Sequence, residues 1–128
     1  MVNAVDIEKI PVLTDKILER IVSDAVRLCG DIERVGLVGS FARRTTKHTS
    51  DVDLLLKVAD TSHYSNALDT FGSYVEHVLD YQFNKRLDIV NYDVAVLRSG
   101  APPSKVGQWY YQEGYQEMLR EVVWIYER

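Results

Sequence analysis

Cysteine is almost missing from this sequence. Cys29 is its one thiol among 128 residues, which excludes a disulfide within the chain and a zinc site built from several thiolates. Long apolar runs are missing too. Nothing approaches the roughly 18 residues of a membrane span, and the opening MVNAVDIEKIPVL has no basic stretch leading into an apolar core. The expectation is a soluble cytoplasmic protein with no membrane partner. Nor is there an excess of positive charge: 15 Lys and Arg against 19 Asp and Glu leave a net −4. That balance argues against the extended cationic surface used in nonspecific nucleic-acid binding, while leaving room for a local basic patch. No internal repeat, low-complexity tract or linker divides the chain, so one domain over residues 1–128 is expected.

What is present is the material of a folded core, with 46% hydrophobic residues and eight tyrosines. Such a composition offsets the entropy of ordering, which disordered chains cannot do. Between Thr14 and Cys29, the residues Ile17, Leu18, Ile21, Val22, Ala25 and Leu28 recur at helical spacing, with Gly30 as a stop. Val35 to Val38 is a short apolar run ending at Gly39-Ser40, the pattern of a buried strand entering a tight turn. Phe41 to Lys47 suits a short helix. Asp51 to Leu56 reads as a central strand. Ser62 to Phe83 reads as a helix burying Ala67, Leu68, Phe71, Val75, Val78 and Leu79, with Gly72 weakening it.

Leu87 to Tyr92 is then a third strand. Beyond the break at Ala101-Pro102-Pro103-Ser104, a helix carrying Trp109, Tyr110, Tyr111 and Tyr115 precedes a strand over Val122 to Tyr126. Those aromatics suit a core or an interface better than a base-stacking platform. Together the elements predict an α/β (α+β) fold, a mixed sheet of three or more strands flanked by helices.

The chemistry concentrates in Gly36 to Leu56, GLVGSFARRTTKHTSDVDLLL. Side chains alternate along a strand, so Asp51 and Asp53 share a face about 7 Å apart at their backbones. Two like charges so placed repel unless a cation offsets them. Magnesium, which takes one or two carboxylates together with phosphate oxygens, is the natural candidate, and manganese also fits. Gly39 and Ser40 end the preceding strand, where a glycine lets backbone amides approach a phosphate and a helix start favours negative charge. Arg43 is the foremost phosphate-binding cation among Arg43, Arg44, Lys47 and His48. Asp88 stands between Leu87 and Ile89, where burial of a charge is costly without a partner or metal. With it, the set suits a two-metal site for in-line displacement, with the ions about 3.5 to 4 Å apart. His63 and His77 have no second ligand at metal spacing, and Cys29 reads as packing.

Gly39-Ser40, the ten positions from Phe41 to Ser50, and then Asp51-Val52-Asp53 resemble the signature of the polymerase-beta-like nucleotidyltransferases. The short chain is similar to their minimal, MNT-type branch. The likeness is close from Gly36 to Leu56 and looser through Asp88 to LREVVWIYE at Leu119–Glu127. It implies Asp51 and Asp53 as metal ligands, Asp88 as third ligand or general base, and Gly39 with Ser40 against the triphosphate of ATP. It also implies a HEPN-type toxin as partner, neutralised by AMP transfer to a tyrosine in a hetero-oligomer. One departure is Arg44, where members usually carry glycine. Two other functions compete: a transferase acting on a small hydroxyl-bearing antibiotic, disfavoured because no acceptor domain is present, and a noncatalytic antitoxin that masks its partner.

Overall fold

Thr14 starts the first helix, its hydroxyl accepting the Ile17 amide proton at 3.2 Å, a side-chain cap for an otherwise unpaired donor. In the computed structural model, which describes residues 10–44, 50–100 and 108–128 and only the backbone of 108–111, α1 spans Asp15–Val26. It buries Leu18, Ile21, Val22 and Ala25, the expected apolar face. The helix ends before Cys29, and Gly30 lies in the turn that follows.

Strand β1, Ile32–Val38, begins earlier than the apolar run suggested, because the buried Ile32 already pairs with Val58 across an irregularity before Arg34. It runs directly into α2, Gly39–Arg43. Of the expected helix to Lys47, the remainder from residue 45 lies outside the described residues. Strand β2, Val52–Val58, follows. The predicted helix from Ser62 to Phe83 is helical throughout but changes pitch. A 3-10 turn at Thr61–His63 leads into α3, Tyr64–Ala67, then a π turn at Leu68–Gly72, then α4, Ser73–Phe83. Gly72 sits in that wide turn with its missing Cβ facing Ile89 Cδ1 at 3.2 Å, so a small residue lets the helix lie close to the next strand. Asn84, at φ 51°, ends α4 in the left-handed conformation that Asn tolerates.

Strand β3, Leu87–Asn91, is followed without a linker by a helix the sequence reading missed, α5, Tyr92–Gly100. The Asn91 side chain accepts the Asp93 amide proton at 2.9 Å and so caps it. Helix α6, Gln108–Glu121, and strand β4, Val123–Glu127, complete the order.

The strands lie in the order β3-β2-β1-β4. Strand β1 is antiparallel to β2 and β4, while β2 and β3 are parallel, joined by the helical crossover. The expected mixed sheet flanked by helices is thus present. One face carries the larger core, where Val35, Leu37, Val52, Leu54, Leu56 and Val58 meet α1, α4 and Phe71. The other buries Val38, Leu55 and Ala95 with Tyr115, Met118, Leu119 and Trp124. Gly36 is required on this second face, since a Cβ there would collide with Val122 Cγ2. Among the described residues, no helix is long and apolar enough to cross a membrane.

Candidate active site

Period-two alternation puts Asp53 on the second face with Leu55, at the end of the sheet where β1 stops and β2 and β3 begin. Register then supplies a neighbour. Asp53 pairs with Val38 on one side and with Asp88 on the other, and residues opposite each other in parallel strands point the same way. Asp53 and Asp88 therefore stand side by side at the spacing of adjacent strands, about 4.8 Å. The consequence is electrostatic. Burial first, then the charge of Asp88, a hydrogen bond with Asp88 and the charge of Asp51 push the Asp53 carboxyl up from 3.8 to about 6, against a smaller opposing pull from Arg43. This end of the sheet holds more negative charge than its cations offset.

Gly39 is pressed against that pair. It has φ +71°, and a Cβ at this position would collide with Asp53 Oδ2. The position therefore excludes side chains on two independent grounds, backbone conformation and contact. Ser40 is in α2, and its carbonyl accepts the Arg44 amide proton. Arg43 ends the same helix, with its guanidinium 3.2 Å from Glu121 Oε2 on α6 while still close enough to act on Asp53. Arg44 turns away. It adopts φ 57° and ψ 35° and pairs with Asp15 at 3.2 Å, so an arginine occupies the left-handed conformation that glycine takes most easily. Lys47 and His48 lie outside the described residues.

Asp51 precedes β2 and reaches across to β3, where its Oδ1 accepts the Arg86 amide proton at 3.4 Å. Beside it lies Lys85, which the sequence reading did not single out. This lysine is buried, donates to the Ser50 carbonyl at 2.8 Å and lies 5.7 Å from the centre of the Phe41 ring. Burial lowers its pKa and the charge of Asp51 raises it, with burial ahead. No periodicity marks such a residue, because it sits in the short join between α4 and β3. Asp88 is exposed rather than buried. The desolvation cost inferred from its apolar sequence neighbours does not arise, because β3 is an edge strand and Asp88 opens to solvent.

Among the described residues, no three acidic, histidine or cysteine side chains converge as a ready ligand cage. Asp53 and Asp88 do converge as a pair. Two carboxylates, one with its proton affinity raised first by burial and then by the other, match magnesium, which fills its remaining positions with water and phosphate oxygens. His63 is remote, paired with Asp31 at 2.7 Å at the opposite end of the sheet. His77 stacks on Tyr81 with centroids 5.9 Å apart.

Two openings flank the carboxylates. The smaller, about 150 Å³, is lined by Gly39, Arg43, Asp53 and the α6 residues Gly114, Glu117, Met118 and Glu121. The larger, about 830 Å³, is bounded by Asp51 and Asp88 on the sheet side and by Ser73, Glu76, His77 and Asp80 of α4.

Residues 14–112 match the family described as the nucleotidyltransferase domain. No curated protein matches the sequence. Among solved structures, a mutant of the toxin-antitoxin MntA-HpeT is 12% identical with a TM-score of 0.49, covering 91% of this chain and 75% of that one. A toxin-antitoxin with AMP-PNP is 16% identical with a TM-score of 0.45, covering 80% and 86%. A second MntA-HpeT mutant is 15% identical with a TM-score of 0.43, covering 85% and 88%.

Proposed function

The chain belongs to the nucleotidyltransferase domain family, and from that premise we propose that it transfers AMP from magnesium ATP to a hydroxyl of a partner protein, a tyrosine of a HEPN-type toxin that it thereby neutralises. The observation that carries the reading is the Asp53–Asp88 pair, with Asp53 pushed up to about 6, held against Gly39. Such a pair suits a divalent ion and a phosphate far better than it suits a structural role, since an uncompensated like-charge pair only costs stability.

In this reading Asp51, Asp53 and Asp88 would hold the metal, and Gly39 with Ser40 would face the triphosphate. Arg43 leaves Glu121 to meet a phosphate oxygen. When bound, the metal supplies charge neutralisation at the phosphates and orients the displacement. The acceptor oxygen forms a bond to the α-phosphorus as the bond from that phosphorus to the bridging oxygen breaks. Pyrophosphate leaves with the electron pair, and the hydroxyl proton passes to the Asp88 carboxylate. The toxin as partner follows from the likeness of Gly36 to Leu56 to the minimal branch of the family.

ATP labelled on its α-phosphate, incubated with magnesium and the co-purified partner, should leave label on that partner, and Asp51→Asn or Asp53→Asn should abolish it. Absence of label on any co-purifying protein would overturn the assignment.

A further inference from the structure

We propose that Lys85 is a positioning residue for the candidate metal site, its ammonium anchoring the Ser50 carbonyl and so fixing the direction in which the Asp51 carboxylate points. The inference rests on the reading of Asp51 as a metal ligand, and adds to it the device by which this chain orients that ligand.

Asp51 needs such a device. Strand β2 starts only at Val52, so the alternation that aims Asp53 does not aim Asp51. Among the described residues, its carboxylate accepts one long hydrogen bond, from the Arg86 amide at 3.4 Å, beyond the usual range of such bonds. The backbone on either side of it is held more firmly. The Val52 amide donates to the Arg86 carbonyl at 2.9 Å, and the Ser50 carbonyl accepts from Lys85 Nζ at 2.8 Å. Asp51 is thus clamped between bonds to two consecutive residues. The first belongs to the backbone, whereas the second is made by a side chain.

The lysine is itself built in. Among the described residues it is the one charged side chain that is buried. Burial strips an ammonium of water, and an apolar side chain would fill the same space at lower cost, so packing alone does not call for a charge there. Its root is fixed where Asn84 reverses the chain at φ 51° and the Lys85 amide donates to the Leu79 carbonyl at 3.1 Å. Its tip lies 5.7 Å from the centre of the Phe41 ring, on the helix that Gly39 and Ser40 open, and feels the charge of Asp51. One ammonium therefore ties together α2, the entry to β2 and the join into β3, three residues before Asp88.

Positioning and simple charge predict opposite results. A cation beside a metal site repels the ion, so its removal should tighten binding, whereas loss of the group that orients a ligand should weaken it. Manganese alone, titrated against the full chain and read from the loss of the free-ion EPR signal, separates the two. Lys85→Met keeps the apolar stem and should weaken manganese binding about tenfold, the lower end of what outer partners of metal ligands contribute. Placed on Asp51→Asn, the same substitution should cause no further loss, because Lys85 acts through Asp51. The titration is repeated with AMP-PNP, and where the unsubstituted chain binds the ion only then, additivity alone decides. Equal or tighter manganese binding by Lys85→Met, or a loss that adds to that of Asp51→Asn, would overturn the proposal. Should Lys85→Met not fold, Lys85→Gln, a shorter neutral donor, takes its place in the same comparison. Failure of both to fold would make the lysine structural and end the proposal. An unsubstituted chain that binds manganese neither alone nor with AMP-PNP would remove the transfer reading itself, so the two failures are told apart.

Discussion

Replacing Asp53 with asparagine should stabilise the metal-free protein while removing its activity. The Asp53 carboxyl is held at about 6 rather than 3.8, chiefly by burial and by Asp88. Its folded-state proton affinity therefore exceeds the unfolded one. For a carboxyl shifted in this direction, the contribution to stability is fully present below about pH 4 and is lost as pH rises through about 6. At neutral pH the charged form is thus a liability, worth at most about 3 kcal/mol and about 1.5 kcal/mol once the partial exposure of the site is allowed for. Asp53→Asn keeps the shape and a hydrogen bond to Asp88 but cannot ionise. Urea unfolding at pH 7.5 in EDTA should show the variant more stable by about 1.5 kcal/mol, or about 5 °C in Tm for a domain of this size. The advantage should fade to nothing by about pH 4, where the Asp53 carboxyl is protonated in the folded protein. Millimolar magnesium should narrow the gap by stabilising the unsubstituted protein alone. A variant no more stable at pH 7.5 without divalent ions, or an advantage that persists at pH 4, would refute the reasoning.

Three further substitutions, at two positions, probe the connection between β1 and β2. Gly39→Ala puts a methyl group against Asp53 Oδ2 at φ +71°, and thermal unfolding should show a loss of about 2 kcal/mol or more, accompanied by loss of transfer. At Arg44, with φ 57° and an exposed ion pair to Asp15, relief of strain, added chain entropy and the lost pair nearly cancel. Arg44→Gly should therefore fall within about 0.5 kcal/mol of the original, whereas Arg44→Val should cost about 1.5 kcal/mol because a branched Cβ resists that conformation.

Which parts of this structure were legible beforehand depends on the range of the forces that made them. That Asp51 and Asp53 should share a face is an expectation from three consecutive residues, whereas in the structure β2 starts only at Val52 and the Asp51 carboxylate accepts the Arg86 amide proton across on β3. The burial of Leu18, Ile21, Val22 and Ala25 is equally local, set by helical spacing. The pairing of Asp53 with Asp88 is not local: it depends on the register of two strands joined by a crossover, which no spacing rule fixes. The exposure of Asp88 was misjudged for the same reason, since an edge position cannot be read from apolar neighbours. Helix α5 was hidden because Asn91 both ends a strand and caps a helix, leaving no polar gap between them. Lys85 was passed over because an isolated lysine carries no pattern, and its role follows only from what closes around it.

The π turn at Leu68–Gly72 has one more consequence. A residue added to a helix advances everything after it by about 100° around the axis. The widened turn absorbs that advance within a single loop of backbone. It lets Ala67 before it, Phe71 within it, and Val75 and Leu79 after it all reach the same core. The rotational phase of α4, and with it the direction in which Glu76 and Asp80 project, is therefore set one turn upstream, by a local change of pitch rather than by the acidic residues themselves.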